Sequence, residues 1–247
     1  MKIFLVAFAV VVAAALIAIA AVSLTRGATA SAPVHETRPL AGFHRLDISG
    51  QATIELVQGS DEGVTIDAPA SAKVRTEVRS GTLVIEAADR GHVFQWLSGR
   101  RSGRSVRVQV NLRSLDRVEA AGAIVIVAES LRSDDLFLDL AGACSLRVGD
   151  LQATSLKLDG SGATKAELAG KVVRQQVDLS GAGAYEAARL ESDDAMVDVS
   201  GAGKAVVNAR NALSVDISGA GKVEYLGNPQ LKQSISGIGK VTRRSAL

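Results

Sequence analysis

Val177-Asp-Leu-Ser-Gly-Ala-Gly183 is followed, after a short alternating segment, by Val197-Asp-Val-Ser-Gly-Ala-Gly203 and then by Val215-Asp-Ile-Ser-Gly-Ala-Gly221. Each copy opens with an apolar–Asp–apolar–Ser alternation, which is typical of a β-strand with one buried face. The glycines that follow supply the positive φ angles that a tight bend needs. These three copies predict one strand and one bend, repeated once per unit.

Further copies extend the repeat in both directions. They are Val118–Ile124, Leu138–Cys144 and Leu158–Thr164 before the three, Gln233–Gly239 after them, and the related Leu46–Ala52 near the start. From Glu119 to Ser234 the second motif position advances by 20, 20, 19, 20, 18 and 18 residues. This period is too short for a propeller blade of about 40 residues, and the Leu/Asn consensus of a leucine-rich repeat is absent. It has the length of one β-helix turn.

The sequence therefore predicts an all-β fold, a right-handed parallel β-helix with about seven coils of 18–20 residues. Successive coils would pair about 4.8 Å apart and stack equivalent residues in columns. Two apolar columns follow, and Gly160 interrupts the second of them. Apart from Leu46–Ala52, residues 41–112 lack the glycine motif and predict a less regular β N-terminal part of one domain, 41–245. Residues 31–40 are predicted to be a linker.

Residues 1–30 have the parts of an export signal. Lys2 precedes an apolar run from Ile3 to Val22, and a small-residue stretch follows. This predicts a secretory signal cleaved after Ala30. The run is also long enough to span a membrane, so an uncleaved anchor through residues 3–22 is the alternative. In either case we expect the body of the protein to be exported, to the periplasm or the cell surface.

The charge balance argues against one class of partner, and the cysteine count excludes one kind of cross-link. Loss of Lys2 and Arg26 leaves 26 of the 28 basic residues against 26 acidic residues. A balanced chain does not suggest a nucleic-acid partner, which would favour a basic excess. Cys144 is the only cysteine, so no intrachain disulfide can form. We therefore expect burial and backbone pairing to stabilise the fold.

The repeated Asp-(Leu/Ile/Val)-Ser-Gly-Ala-Gly, together with the opening Phe43-His-Arg-Leu-Asp-Ile-Ser-Gly50, resembles the bacterial head GIN domain. That family is of unknown function and is labelled as the head of an autotransporter adhesin. The resemblance covers about residues 40–245. It implies an exported β-helical protein, and it provides no catalytic residues, metal ligands or cofactor.

The motif positions form charged columns. The acidic column is Asp139, Asp159, Asp178, Asp198 and Asp216, and the bend glycines are Gly181, Gly183, Gly201, Gly203, Gly219 and Gly221. We favour a structural role, in which each Asp accepts hydrogen bonds from amides of the bend. The alternative is a row that binds cations or a basic partner. A lysine column, Lys165, Lys204, Lys222 and Lys240, could neutralise the acidic row across the bend or be solvated.

The longest non-repetitive segment, residues 91–104, is the best single candidate for contact with a partner. It contains Phe94, Trp96, Arg100, Arg101 and Arg104. Aromatic and Arg side chains dominate interface hot spots. The competing interpretation is a loop that covers the open end of the helix with apolar side chains.

Catalysis has little support in the sequence. The three histidines do not form a motif, and the repeat faces lack the aromatic residues expected of a polysaccharide-cleaving cleft. The leading hypothesis is a non-enzymatic envelope module that binds a protein, a glycan or itself. The alternative is a carbohydrate-active β-helix, because columns of acids supply many carboxylate pairs.

Overall fold

The computed structural model describes residues 34–69, 72–89 and 106–244. Within those ranges every regular element is a β-strand. The strands are β1 (Val34–Arg38), β2 (Arg45–Gln58), β3 (Gly63–Ala68), β4 (Ala72–Arg79), β5 (Thr82–Asp89), β6 (Arg107–Leu112), β7 (Arg117–Gly142), β8 (Ser145–Gly162), β9 (Lys165–Gly181), β10 (Ala184–Gly201), β11 (Lys204–Gly219), β12 (Lys222–Leu226), β13 (Gln230–Gly237) and β14 (Lys240–Arg243). They form a parallel β-solenoid of about six turns, which confirms the predicted β-helix.

The predicted columns are the ladders of this solenoid. From β7 to β11 each long strand pairs in parallel with the next, and the register aligns equivalent motif positions. The first apolar column faces inward and is buried throughout: Leu138, Leu158, Val177, Val197 and Val215. Burial of one such aliphatic side chain stabilises the fold by about 1.5–3 kcal/mol. The alternation of apolar and polar residues therefore places the polar positions on the outside of every coil.

The first glycine of each motif stacks directly on its counterpart in the preceding coil. Gly201 has a φ of +151°, and a β-carbon there would lie 2.5 Å from the carbonyl oxygen of Gly181. The amide of Ala202 donates to that same oxygen at 2.9 Å. A side chain at this position would force the two coils apart, which explains why the motif keeps glycine.

Gly160 interrupts the second apolar column, and a larger side chain four residues later fills the space that it leaves. In the coil of Leu179 the second motif glycine, Gly183, leaves room for the leucine side chain. The preceding coil has the opposite arrangement. Gly160 stands at the position of Leu179, and Thr164 stands at the position of Gly183. Thr164 is buried, and its hydroxyl donates to the carbonyl oxygens of Leu140 and Ser161, both at 3.3 Å.

One coil carries polar groups in the interior. The Tyr185 hydroxyl donates to Oε1 of Gln175 at 2.8 Å, and Nε2 of Gln175 donates to Oγ of Ser192 at 2.8 Å. Ser192 in turn donates to the carbonyl oxygen of Asn208. All three side chains are buried, and burial raises the pKa of Tyr185 far above its ordinary value. Each of these three buried side chains has a hydrogen-bond partner, as burial requires.

The N-terminal part extends the first coil with irregular strands, as predicted. β5 and β6 pair in parallel with the two ends of β2, and β4 and β3 add antiparallel to them. β1 then pairs antiparallel with β3. Residues 34–38 were expected in a linker, and that expectation is wrong for them, because β3 offers a free edge that they fill.

The last coil is built from β13 and β14. β13 pairs with β11, and β14 pairs with β12. Every residue of β13 is exposed, in contrast to the alternating burial of the strand beneath it.

Candidate functional site

The outer faces of the solenoid carry two charged ladders on either side of the glycine bend. The aspartate ladder lies before the bend and consists of Asp139, Asp159, Asp178, Asp198 and Asp216, in register. The first three are half-buried and the last two are exposed. Below them the ladder continues as Glu119, and Asp47 lies opposite Glu119 in β2.

Two aspartates of this ladder are contacted by side chains of the same strand. Nζ of Lys157 lies 3.1 Å from Oδ2 of Asp159, and Nε2 of Gln176 donates to Oδ2 of Asp178 at 3.1 Å. Lys157 and Gln176 occupy equivalent positions two residues before the aspartates. The other oxygen of Asp159, Oδ1, is buried without a hydrogen-bond partner.

The expected hydrogen bonds from bend amides to these carboxylates are not formed. The amides of the bend, such as Ala182 and Ala202, donate instead to glycine carbonyl oxygens of the preceding coil at 2.9 Å. The amide two residues further on does the same, as in Lys204 to the carbonyl oxygen of Gly183. Pairing between coils occupies these backbone donors. The side-chain contacts of the ladder are therefore those to Asp159 and Asp178, while Asp198 and Asp216 face solvent.

The centre of the ladder is electrostatically unfavourable. Partial burial and the adjacent Asp159 carboxyl raise the pKa of Asp178 above its ordinary value, while Gln176 and Lys157 oppose the shift. Stacked carboxylates favour protonation of one member because like charges repel. In the described part of the chain, no three Asp, Glu, His or Cys side chains are placed to hold a metal ion together.

The second ladder lies after the bend and pairs lysines with glutamates. Glu167 receives contacts from Lys165 in its own strand and from Arg147, 2.9 Å away in the preceding coil. Glu224 likewise lies near Lys222 and 3.6 Å from Lys204. The hydrogen bond from the lysine of the same strand is the main reason why the pKa values of Glu167 and Glu224 fall.

Three of the four lysines of the column, Lys165, Lys204 and Lys222, are therefore paired with glutamates of the same face. The sequence offered neutralisation of the aspartate row across the bend as one possibility, but Lys165 and Lys222 contact glutamates two residues further along their own strands, and Lys204 contacts Glu224 of the next coil. The signal was present, since Lys165-Ala-Glu167 and Lys222-Val-Glu224 place both charges on one side of a strand. An alignment of the repeat on its Asp and Gly positions does not display this spacing.

A cleft of about 450 Å³ lies near the N-terminal end and was not expected from the sequence. Nε2 of Gln58 donates to the carbonyl oxygens of Arg113 and Arg132, at 3.0 and 2.9 Å, and its Oε1 accepts from the Arg132 amide at 2.7 Å. This bracing brings two Arg together with Asp116 and Asp134 along the cleft. No aromatic side chain is among the described residues that line it.

The proposed contact residues of the segment 91–104, called the Trp96 loop, lie outside the described residues. These are Phe94, Trp96, Arg100, Arg101 and Arg104. Cys144 is buried at the position of the second motif glycine, and desolvation raises the pKa of its thiol. A buried thiol with a raised pKa is unsuited to nucleophilic chemistry. As for membranes, none of the described residues form a helix suited to crossing one.

The family of the chain follows from a match over residues 42–229 to the model described as "Putative auto-transporter adhesin, head GIN domain". The chain belongs to this family. The match covers the N-terminal strands and most of the ladders, so the head GIN domain includes both parts of the fold. It confirms the resemblance that the repeated motif suggested. No curated protein matches the chain.

Solved structures share the head GIN fold at low sequence identity. A putative adhesin from Bacteroides fragilis is 18% identical, with a TM-score of 0.76 over 86% of this chain and 97% of that one. A putative adhesin from Parabacteroides merdae is 17% identical, with a TM-score of 0.65 over 86% and 96%. A structure named as a putative lipid binding protein, from Parabacteroides distasonis, is 17% identical, with a TM-score of 0.66 over 86% and 97%. These similarities show the fold.

Proposed function

We propose that the chain is an exported, non-enzymatic module of the cell envelope that acts as a scaffold or an adhesive surface. The observation that carries the proposal is the regularity of the long faces, where small and charged side chains repeat in ladders from coil to coil. Such a face presents the same chemistry many times, which suits weak contacts that add up. The adhesin label of the family and the export signal predicted in residues 1–30 support it.

Export is tested by fractionating the cells that produce the chain and by determining the N-terminus of the protein. We expect the protein in the envelope or outside the cell, with Ser31 as its first residue if the signal is cleaved. An intact N-terminus in a membrane fraction would support the anchor through residues 3–22. Recovery in the cytosol would refute the proposal of export.

Binding is tested by pull-down from envelope extracts, followed by quantification of the retained proteins and glycans. The test variant replaces Trp96, Arg100 and Arg101 with alanine, and the control variant replaces three exposed cations outside both charged ladders, Lys171, Arg174 and Arg189, with alanine. We expect the first to lose partners that the control retains. Equal recovery with both variants would refute the role of the loop. Retention of nothing by the wild type would count against an adhesive role.

A polysaccharide-cleaving enzyme is the alternative function, and the cleft beside Gln58 is the observation in its favour. It places Asp116 and Asp134 near Arg113 and Arg132, a combination that acid-assisted glycan cleavage could use. The absence of aromatic platforms among its described lining residues counts against it. Release of new sugar ends from envelope polysaccharides, abolished by Asp134→Asn, would establish the enzyme and overturn the non-enzymatic proposal.

A further inference from the structure

The outer edge of the last coil has the features of a docking surface. β13 pairs only with β11 and β14 only with β12, and in residues 34–69, 72–89 and 106–244 no strand lies on their other side. A strand edge of this kind presents unpaired backbone N–H and C=O groups to any extended chain.

The inward positions of this coil are also uncovered. Leu231 and Ile235 are 38% and 40% exposed, whereas Leu213 and Ile217, the residues beneath them, are 1% and 0% exposed. One more strand, with apolar side chains at alternate positions, would cover Leu231 and Ile235, between which Gln233 ends the first apolar column. A strand that pairs with this coil would therefore bury its own apolar side chains best if they stood at alternate positions.

Both acidic ladders stop at this coil, while the basic column continues. Asp216 is followed by Ser234 and Glu224 by Thr242, but Lys222 is followed by Lys240. Residues 225–244 contain four cations and no Asp or Glu: Lys232, Lys240, Arg243 and Arg244. Only Arg244 reaches an acid of an earlier coil, Glu186, at 3.8 Å among the described ion pairs. Lys232, Lys240 and Arg243 would therefore attract carboxylates of another molecule.

A second copy of this chain does not meet that requirement. Two last coils placed edge to edge would oppose four cations with four cations. Two strands are outermost at the other end. β4 is also basic, with Lys73, Arg75 and Arg79 against Glu77, and the only Glu of β1, Glu36, is already paired with Arg38. Like charges opposite one another across paired strands are destabilising.

We propose that the edge formed by β13 and β14 binds an acidic, extended segment of another protein by strand addition. The segment places apolar side chains against Leu231 and Ile235 and carboxylates beside Lys232 and Lys240. Backbone hydrogen bonds provide affinity and alternate side chains provide specificity, as in other cases of strand addition. This surface contains no residue of the segment 91–104, and it gives the proposed binding role a partner of defined chemistry.

The test uses the full-length chain and a capped eight-residue peptide of alternating Val and Glu, with a Val/Lys peptide for comparison. Binding is measured by fluorescence anisotropy at pH 7 and low salt, and its place by amide hydrogen exchange. We expect the Val/Glu peptide to bind at least about tenfold more tightly, a difference that a few opposite-charge cross-strand pairs can supply. Protection from exchange should rise in residues 230–243.

Charge reversal provides the decisive variant. The pair Lys232→Glu and Lys240→Glu should lose about tenfold in affinity for the Val/Glu peptide and gain affinity for the Val/Lys peptide. The matched control, Lys171→Glu with Arg174→Glu, reverses two exposed cations of inner coils and should change neither affinity. Equal binding of both peptides, protection elsewhere, or a dimer of the free chain that the reversal dissolves would overturn the proposal. Failure here with a successful pull-down would leave the general binding role intact.

Discussion

At the residue scale, the interior of the solenoid is set by pairs of positions. In the coils of Asp159 and Asp178, the residue after the Asp and the residue at the second glycine position share one volume, so the large side chain stands at one position and glycine at the other. In the preceding coil the pair is Leu140 with Cys144. Leu179 with Gly183 and Gly160 with Thr164 are the two solutions in adjacent coils. A close-packed interior is sensitive to even one extra methylene, so the two positions should not vary independently.

This pairing predicts the outcome of a double-mutant cycle. Gly160→Leu should destabilise the fold by about 1–3 kcal/mol, because a β-carbon there already lies 3.4 Å from Cγ2 of Thr164 and 3.1 Å from Cδ2 of Leu179. Adding Thr164→Gly copies the solution of the next coil and should recover part of that loss. Urea unfolding of the four proteins measures the coupling, which we expect to be at least about 1 kcal/mol. Strictly additive effects would contradict the shared volume.

The sequence predicts these residues unequally well. The inward column of Leu158 and Val177 follows from alternation alone, because one buried face imposes a period of two. The role of Gly160 could not be predicted, since its reason is a side chain four residues away that points into the same space. The buried bonds of Tyr185 and Gln175 were missed for a similar cause: the pattern marks position 175 as inward but cannot show which polar partner it meets.

At the element scale, the aspartate ladder stores a like-charge repulsion that the fold tolerates. Its half-buried centre, Asp159 and Asp178, has two side-chain partners, Lys157 and Gln176, and one carboxylate oxygen without any. The lysine–glutamate ladder across the bend has opposite charges in contact and needs no such support. Two ladders of the same architecture therefore differ in their response to pH.

Asp178→Asn should raise the melting temperature at pH 7. Burial and Asp159 raise the pKa of Asp178 in the folded state, so the unfolded chain ionises more readily and folding is penalised above that pKa. The penalty disappears as pH falls through the folded pKa and is absent below the ordinary Asp value of about 3.9. We expect a gain on the order of 1–2 °C at pH 7, because the exposed part of the group is screened, and no gain at pH 3.

A matched variant in the same ladder gives the control for this measurement. Asp216→Asn removes a carboxylate that is exposed and has Ser234 rather than an acid on its outer side. Thermal unfolding should show a smaller gain for it at pH 7. An equal gain at pH 3 and pH 7 for Asp178→Asn would show that the stabilisation is not electrostatic.

At the scale of the whole molecule, each coil contacts mainly its two neighbours, so stability should vary with the number of coils. Deletion of residues 145–164 joins Cys144 to Lys165, and Lys165 is the register partner of Ser145. This removes one full coil together with its exchanged Gly160 and Thr164. We expect a folded, shorter solenoid with a lower midpoint of urea unfolding and a smaller m-value, because less surface is buried.

A half-coil deletion is the control for that experiment. Loss of residues 145–154 leaves the remaining half coil out of register with both neighbours, so that inward and outward positions no longer align. Circular dichroism should show the full-coil deletion to be folded and the half-coil deletion to be largely unfolded. Two equally folded proteins would contradict a solenoid whose stability depends on register.

The coils are similar enough that a growing stack could accept the wrong neighbour. A slip of one full coil keeps every Asp beside an Asp and every bend glycine above a glycine, so the ladders alone do not oppose it. The buried Tyr185–Gln175–Ser192 chain and the Gly160–Thr164 exchange are what make two of the coils unlike the rest. After such a slip Gln175 would be buried without Ser192, its partner in the next coil, at a cost of about 1–3 kcal/mol for an unsatisfied group. These irregularities therefore favour a single register for the coils that contain them.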